Sequence, residues 1–209
     1  MFINNFDPVA FNFFSLEIRW YSLAYIFGIT IGWFYCKKYL IKDRSILNIF
    51  DDLIAYLIIG IILGGRLGYI LIYNFDYYLN HLTEILMIWK GGMSFHGGLV
   101  GVLISTLFFS KKHNINPFIF LDLISAVAPI GIFLGRIANF LNSELYGKQT
   151  EIFWSVIFPK IDNLTRHPSQ IYEALFEGLI LFLILNSLIR KNMLNKKGKI
   201  TSYFLIFFP

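Results

Sequence analysis

Six ionisable residues stand inside or against long apolar runs: Arg66, His96, Asp122, Arg136, Glu173 and Glu177. A charged side chain near the centre of a bilayer costs about 2.5–3.5 kcal/mol even on lenient insertion scales, so each needs a reason. A guanidinium holds anions, and an imidazole exchanges a proton near neutral pH. Glu173 and Glu177 are four residues apart and share one helix face. The set therefore contains the parts for anion binding and proton transfer. Each member has a plainer alternative. Arg66 can snorkel towards a headgroup layer, and Asp122 can cap its own helix near an interface. A single His or a Glu pair is more often a packing element than a catalyst. Alternatives of that kind explain residues one at a time, but not several at one depth.

That depth follows from the elements that carry them. The chain has 209 residues, 56% hydrophobic and 15% charged. Globular averages are about 45–50% and about 25%, so the charges are too few to coat a water-facing surface. Disorder is excluded by the apolar content, and a collagen-like chain by the absence of a glycine period. The composition predicts an all-α, polytopic transmembrane helix bundle forming a single membrane domain over residues 1–209. Five apolar spans are close to the roughly 17–25 residues a membrane helix needs: Trp20–Cys36, Leu53–Tyr73, Met93–Ser110, Pro117–Phe140 and Ile171–Ile189. A sixth begins at Tyr203 and reaches Pro209 after about two turns, roughly 10 Å, short of a core about 30 Å thick. The expectation is five full spans plus a truncated sixth.

Eleven of the 18 Lys and Arg residues fall on one side of these spans and five on the other, with Arg66 and Arg136 inside. The positive-inside rule puts the eleven in the cytoplasm and the N-terminus outside, on the periplasmic face. The net charge of +5 is then a topology signal and not a nucleic-acid footprint. With this orientation Arg66, His96, Arg136, Glu173 and Glu177 converge in the outer half of the membrane, and Asp122 alone lies near the cytoplasmic end. A transporter would line a path through both leaflets, whereas the inner half here is nearly free of charge.

Glycines four apart (Gly28 and Gly32; Gly60, Gly64 and Gly68; Gly97 and Gly101; Gly131 and Gly135) predict close helix packing, and the close approach at Gly64-Gly65 and Gly97-Gly98 is also expected to leave room for a substrate. The single cysteine, Cys36, excludes a disulfide framework and reads as a small packed residue. His96, His167, Glu173 and Glu177 lack a trusted ligand spacing, so neither metal nor cofactor is expected. Met1–Arg19 has no basic start and no cleavage site, and its phenylalanines read as an interfacial segment.

The run Gly135-Arg136-Ile137-Ala138-Asn139-Phe140-Leu141-Asn142-Ser143-Glu144-Leu145-Tyr146-Gly147 resembles the signature of bacterial phosphatidylglycerol–prolipoprotein diacylglyceryl transferases. Three other segments match that family in order: Ile18-Arg19-Trp20-Tyr21-Ser22, the Gly91–Gly98 stretch around His96, and Arg166-His167-Pro168-Ser169-Gln170-Ile171-Tyr172-Glu173. The resemblance implies an inner-membrane enzyme with its site towards the outer leaflet. It would move the diacylglyceryl group of phosphatidylglycerol onto the lipobox cysteine of a prolipoprotein, the first step of lipoprotein maturation. A thioether forms and glycerol phosphate leaves. The thiol, with a pKa of about 8.5, must lose its proton, and the departing phosphate must be held.

On that basis Arg136 is the expected phosphate ligand, with Asn139, Asn142, Glu144 and Gly147 ordering the headgroup or Arg136. His96 is the expected general base, Tyr21 an orienting group, and Arg66 a second phosphate contact. Expected partners are phosphatidylglycerol, the lipobox segment and the bilayer, and no nucleic acid. In the family a full final helix carries further Arg and Glu residues. The short run at Tyr203 therefore leaves open an inactive lipid- or prolipoprotein-binding paralogue, or a fragment. A small transporter is the remaining alternative.

Overall fold

The computed structural model describes residues 2–14 and 16–208, most of them helical. They form two compact units: Met1–Leu40 with Asp122–Pro209, and Ile41–Leu121.

In the second unit, helix α2 spans Arg44–Tyr73 and starts well before the expected boundary at Leu53. The cause is a cap. Asp43 accepts a hydrogen bond from the Ser45 N–H at 2.8 Å, so the helix begins in a charged turn that hydropathy does not mark. A short helix α3 (Phe75–Asn80) and two single turns, Leu82–Leu86 and Ile88–Lys90, lead to α4 (Phe95–His113). Ser94 caps α4 by accepting from the Gly97 N–H at 3.2 Å, and Asn114 ends it in the left-handed conformation. α2 and α4 pack backbone to backbone. A Cβ on Gly64 would lie 2.8 Å from the Gly101 Cα, and one on Gly97 would lie 2.9 Å from the Gly68 Cα. The glycine spacing thus serves close packing. It leaves no substrate space at Gly64, Gly65 or Gly97, since a Cβ on Gly65 would meet the Met93 methyl at 2.6 Å. Phe109 and Phe120, both fully buried, meet edge to face in this unit's core.

The first unit corrects the all-helical expectation with short strands. β2 (Val9–Phe13) and β3 (Leu16–Arg19) form an antiparallel hairpin where an interfacial segment was expected. Its register pairs Phe11 with Ile18 and Asn12 with Glu17. The period-two alternation Leu16-Glu17-Ile18-Arg19 is a strand signal that the density of phenylalanine hides. β1 (Phe2–Ile3) runs parallel to β4 (Val156–Ile157), which pairs antiparallel with β5 (Thr165–Arg166). Helix α1 (Trp20–Tyr35) continues as a wider π turn over Cys36–Leu40. Cys36 is buried and its thiol donates to the Leu123 carbonyl, as a packed residue would.

Helix α5 (Pro117–Leu141) starts with proline at its first position, where a missing N–H costs nothing, and Asn116 accepts from the Phe118 N–H at 2.9 Å. Asp122 is therefore not the cap of its own helix. Buried in the first unit, its carboxylate accepts from Gly198 N at 2.7 Å, Thr201 N at 2.8 Å and Thr201 Oγ1 at 2.7 Å. It caps the first turn of α7 (Lys199–Phe207) from another helix. Asp122→Ala strands two backbone donors and a hydroxyl. The expected loss is roughly 3 kcal/mol, a melting temperature lower by about 6–12 °C. Thermal melting of the detergent-purified protein checks this, and a variant that melts with wild type refutes it.

Helix α6 (Ser169–Arg190) carries a π-helical stretch at Ala174–Ile180 between two α-helical ends. Among the described residues, α2, α5 and α6 are long and apolar enough to cross a bilayer. They coincide with three of the five expected spans. The other two coincide with α1, 16 residues before its π turn, and α4, 19 residues with Lys111, Lys112 and His113 in its last turn.

Candidate active site

The last two turns of α5 place Arg136 and Asn139 three apart, and the chain then reverses tightly. Asn142 N donates to Ala138 O and Glu144 N to Asn139 O, both at 2.9 Å. Ser143 and Leu145 hold φ of 61° and 51°, left-handed values that cost non-glycine residues roughly 1–2 kcal/mol each. What keeps them there is a second segment. Gln170 Nε2 donates to Glu144 O at 2.5 Å, and Ser169 Oγ to Leu145 O at 2.7 Å. Gly147 N donates to His167 O and His167 N to Lys148 O, both at 3.0 Å. Gly147 is needed for that approach, because a Cβ there would sit 2.7 Å from the His167 carbonyl oxygen. Arg166 lies over the Tyr146 ring and pairs with Asp162 at 2.5 Å. That hydrogen bond holds the Asp162 carboxyl below its ordinary value, against the opposing effect of desolvation.

Two polar clusters stand on this frame. In one, Tyr21, in the first turn of α1, donates to Glu144 Oε2 at 2.8 Å and accepts from Asn139 Nδ2. In the other, Arg136 Nη1 lies 3.0 Å from Glu173 Oε2, and Nη2 lies 3.2 Å from Glu177 Oε2. Glu173 ends the first α-helical part of α6 and Glu177 lies in its π stretch, so both carboxylates reach one guanidinium. The Arg136 side chain remains 26% exposed, enough for a ligand to reach it. A Cβ added at neighbouring Gly135 would meet no described atom within 4 Å. Three buried polar atoms near the reversal, Asn142 Oδ1, Ser143 Oγ and Gln170 Oε1, have no protein hydrogen-bond partner among the described residues. The ensemble offers a forked cation for an anion and a tyrosine–carboxylate pair for orientation.

The family model for prolipoprotein diacylglyceryl transferase matches residues 8–209. The chain belongs to this family. Proteins named phosphatidylglycerol–prolipoprotein diacylglyceryl transferase match along nearly the whole chain. The one from Rickettsia typhi is 48% identical over 211 residues, covering 100% of this chain and 82% of its own length. That of Methylocella silvestris is 45% identical, covering 96% and 76%. That of Wolbachia pipientis is 52% identical over 185 residues, covering 87% and 70%.

Tyr21, Arg136, Asn139, Asn142, Glu144 and Gly147 all lie in the first unit, on α1, the end of α5 and the loop that follows. Arg66 and His96 lie in the second unit. His96 is an exposed residue in the first turn of α4, edge to face with Phe95. Arg66 is 4% exposed, and its guanidinium donates to five carbonyls: Glu84, Ile85, Met87, Gly91 and Gly92. It also lies over the Tyr78 ring. Its nitrogens hold the segment ahead of α4 in place in this structure.

Glu173 and Glu177 were expected at the depth of the site but without a role in it, and Gln170 was given no role. For the two glutamates a signal existed, in their four-residue spacing and their place in an apolar span. For Gln170 there was none, because its partner is a backbone carbonyl 26 positions away.

Proposed function

We propose that this protein transfers the diacylglyceryl group of phosphatidylglycerol to the lipobox cysteine of prolipoproteins. It is an integral enzyme of the bacterial inner membrane, with five full spans, its N-terminus outside and its site towards the outer leaflet. The observation that carries the reading is the Arg136 guanidinium, partly exposed at the end of an apolar helix and framed by the strapped loop, in a chain whose relatives are so named. The charge bias, eleven basic residues against five, supports the orientation.

The chemistry follows from the groups. The cysteine sulfur gives up its proton and attacks the sp³ carbon that joins the diacylglyceryl group to phosphate. The carbon–oxygen bond breaks, its electron pair leaves with the phosphate, and glycerol phosphate departs. Arg136 holds the phosphate and stabilises the charge that grows on it. Tyr21, fixed between Glu144 and Asn139, orients the headgroup, and Asn139, Asn142 and Glu144 order the headgroup or Arg136 itself. His96 is assigned as proton acceptor, because imidazole takes a thiol proton without an extreme pKa. No cofactor enters these steps.

The test is direct. Purified protein incubated with phosphatidylglycerol and a lipobox peptide is expected to add a diacylglyceryl mass to the cysteine. A peptide that stays unmodified while phosphatidylglycerol still binds would favour a non-catalytic lipid-binding protein.

A further inference from the structure

Asn4, directly after β1, is fully buried, and it lies ahead of residues 8–209, which the family model matches. A buried amide needs partners for both of its ends. Its Nδ2 donates to Phe140 O at 2.5 Å, and its Oδ1 accepts from the Phe6 N–H at 3.3 Å. Phe140 O belongs to the last turn of α5, where a helix leaves its carbonyls without intrahelical partners. The same oxygen accepts from the Ser143 N–H at 3.1 Å, so Asn4 shares an acceptor with the first left-handed residue of the reversal. Phe2 stacks on the Phe140 ring, and Phe140 meets the buried Phe158 edge to face.

The backbone of this segment is bound on its other side. Phe2 N donates to Ser155 O at 3.2 Å and Asn4 N to Ile157 O at 2.9 Å, while Lys160 Nζ donates to Phe6 O at 2.6 Å. β4 in turn pairs with β5, whose Arg166 precedes the His167 that binds Gly147. The loop that carries Asn142 and Glu144 is thereby tied at both ends to one small sheet. Gly147 holds its far end through His167, and Asn4 holds its near end through Phe140. Asn139 stands one residue before Phe140 and donates to Tyr21, which donates to Glu144.

We infer that Asn4 is a positioning residue for diacylglyceryl transfer. Its bond to Phe140 O fixes the end of α5, and with it the place of Asn139, Tyr21 and Glu144. The inference rests on the proposal that those three groups order the donor headgroup.

The experiment measures transfer to a lipobox peptide at saturating phosphatidylglycerol, below the melting temperature of every variant at every pH used. Asn4→Ala is expected to lower kcat by about tenfold or more, towards the roughly hundredfold that a displacement of about 1 Å costs. Asn4→Ser, too short to reach Phe140 O, replaces it if Asn4→Ala does not fold. Asn4→Asp separates positioning from packing, because a carboxyl matches the amide in shape but donates only when protonated. Burial raises such a carboxyl from its ordinary value of about 3.9. The rate of Asn4→Asp relative to wild type is therefore expected to fall as pH rises from about 6 to about 9. Taking that ratio removes the titration of groups common to both proteins, Lys160 on Phe6 O and Asp7 on the Val9 N–H among them. A wild-type kcat in Asn4→Ala, whatever its melting temperature, overturns the inference, and so does a ratio for Asn4→Asp that stays flat with pH. Wild-type protein that modifies no peptide removes the proposed function and the inference together. Wild-type protein that transfers, beside an Asn4→Ala that transfers as fast, removes the inference alone.

Discussion

Arg136→Gln is expected to lower diacylglyceryl transfer by about 10²–10³-fold, the range seen when a preorganised group that stabilises developing charge is removed. Two separate losses contribute. The departing phosphate loses its forked donor, and Glu173 and Glu177, which lie 3.0 and 3.2 Å from the wild-type guanidinium, lose their counter-ion. The second loss is structural and can be isolated. Arg136→Gln combined with Glu173→Gln and Glu177→Gln removes the stranded charges but still lacks the guanidinium. That triple variant is expected to regain wild-type melting and to remain as slow as the single one. Arg136→Lys should fall between, because an ammonium is one point of charge and cannot present two parallel edges. The rate of lipobox-peptide modification, read beside the melting temperature, decides the matter. Arg136→Gln within tenfold of wild type would falsify the phosphate assignment.

Residues that break the apolar rule were legible as a class, while their partners were not. Arg66, Asp122 and Arg136 all stand out by the same desolvation argument, yet they do three different things. Arg66 spends its donors on carbonyls of residues 84–92 and Asp122 caps a helix that starts 77 positions later. Arg136 alone faces ionised partners and stays partly open. Hydropathy measures the cost of burying each charge; what offsets that cost is tertiary and has no local trace. The same limit explains the strands. β4 and β5 have two residues each, too few for a period, and exist because β1 reaches them from the start of the chain. α2 shows the opposite case, a signal present in the residues but masked. Asp43 before Ser45 is a capping pair, and the apolar boundary at Leu53 drew attention away from it. The glycine spacing transferred most directly, because a missing Cβ is a property of the residue itself and needs only a facing helix to be used.

Gly147→Ala is expected to be nearly as damaging as the loss of Arg136, although a methyl group is added and no charge is touched. Gly147 does not have a positive φ, so the substitution is not opposed by its own backbone. It is opposed by what faces it: the new Cβ would lie 2.7 Å from the His167 carbonyl oxygen and 2.8 Å from the His167 Cβ. The carbonyl is backbone and cannot rotate away, so the two segments must separate. Separation weakens the Gly147 N to His167 O and His167 N to Lys148 O hydrogen bonds, both now 3.0 Å. Those bonds, with the Gln170 and Ser169 contacts to Glu144 and Leu145, hold Ser143 and Leu145 in the left-handed region. Once the strap loosens, these residues can relax towards ordinary dihedrals, and Glu144 moves with them. Tyr21 is tied to Glu144, so the displacement reaches the group assigned to orient the headgroup. A shift of about 1 Å in a positioned group costs roughly 10²-fold in rate, whereas overpacking alone costs about 1–3 kcal/mol of stability. The expected result is a folded, somewhat less stable protein with transfer reduced about a hundredfold. Gly147→Ala with the wild-type rate would mean that the strap does not position the site.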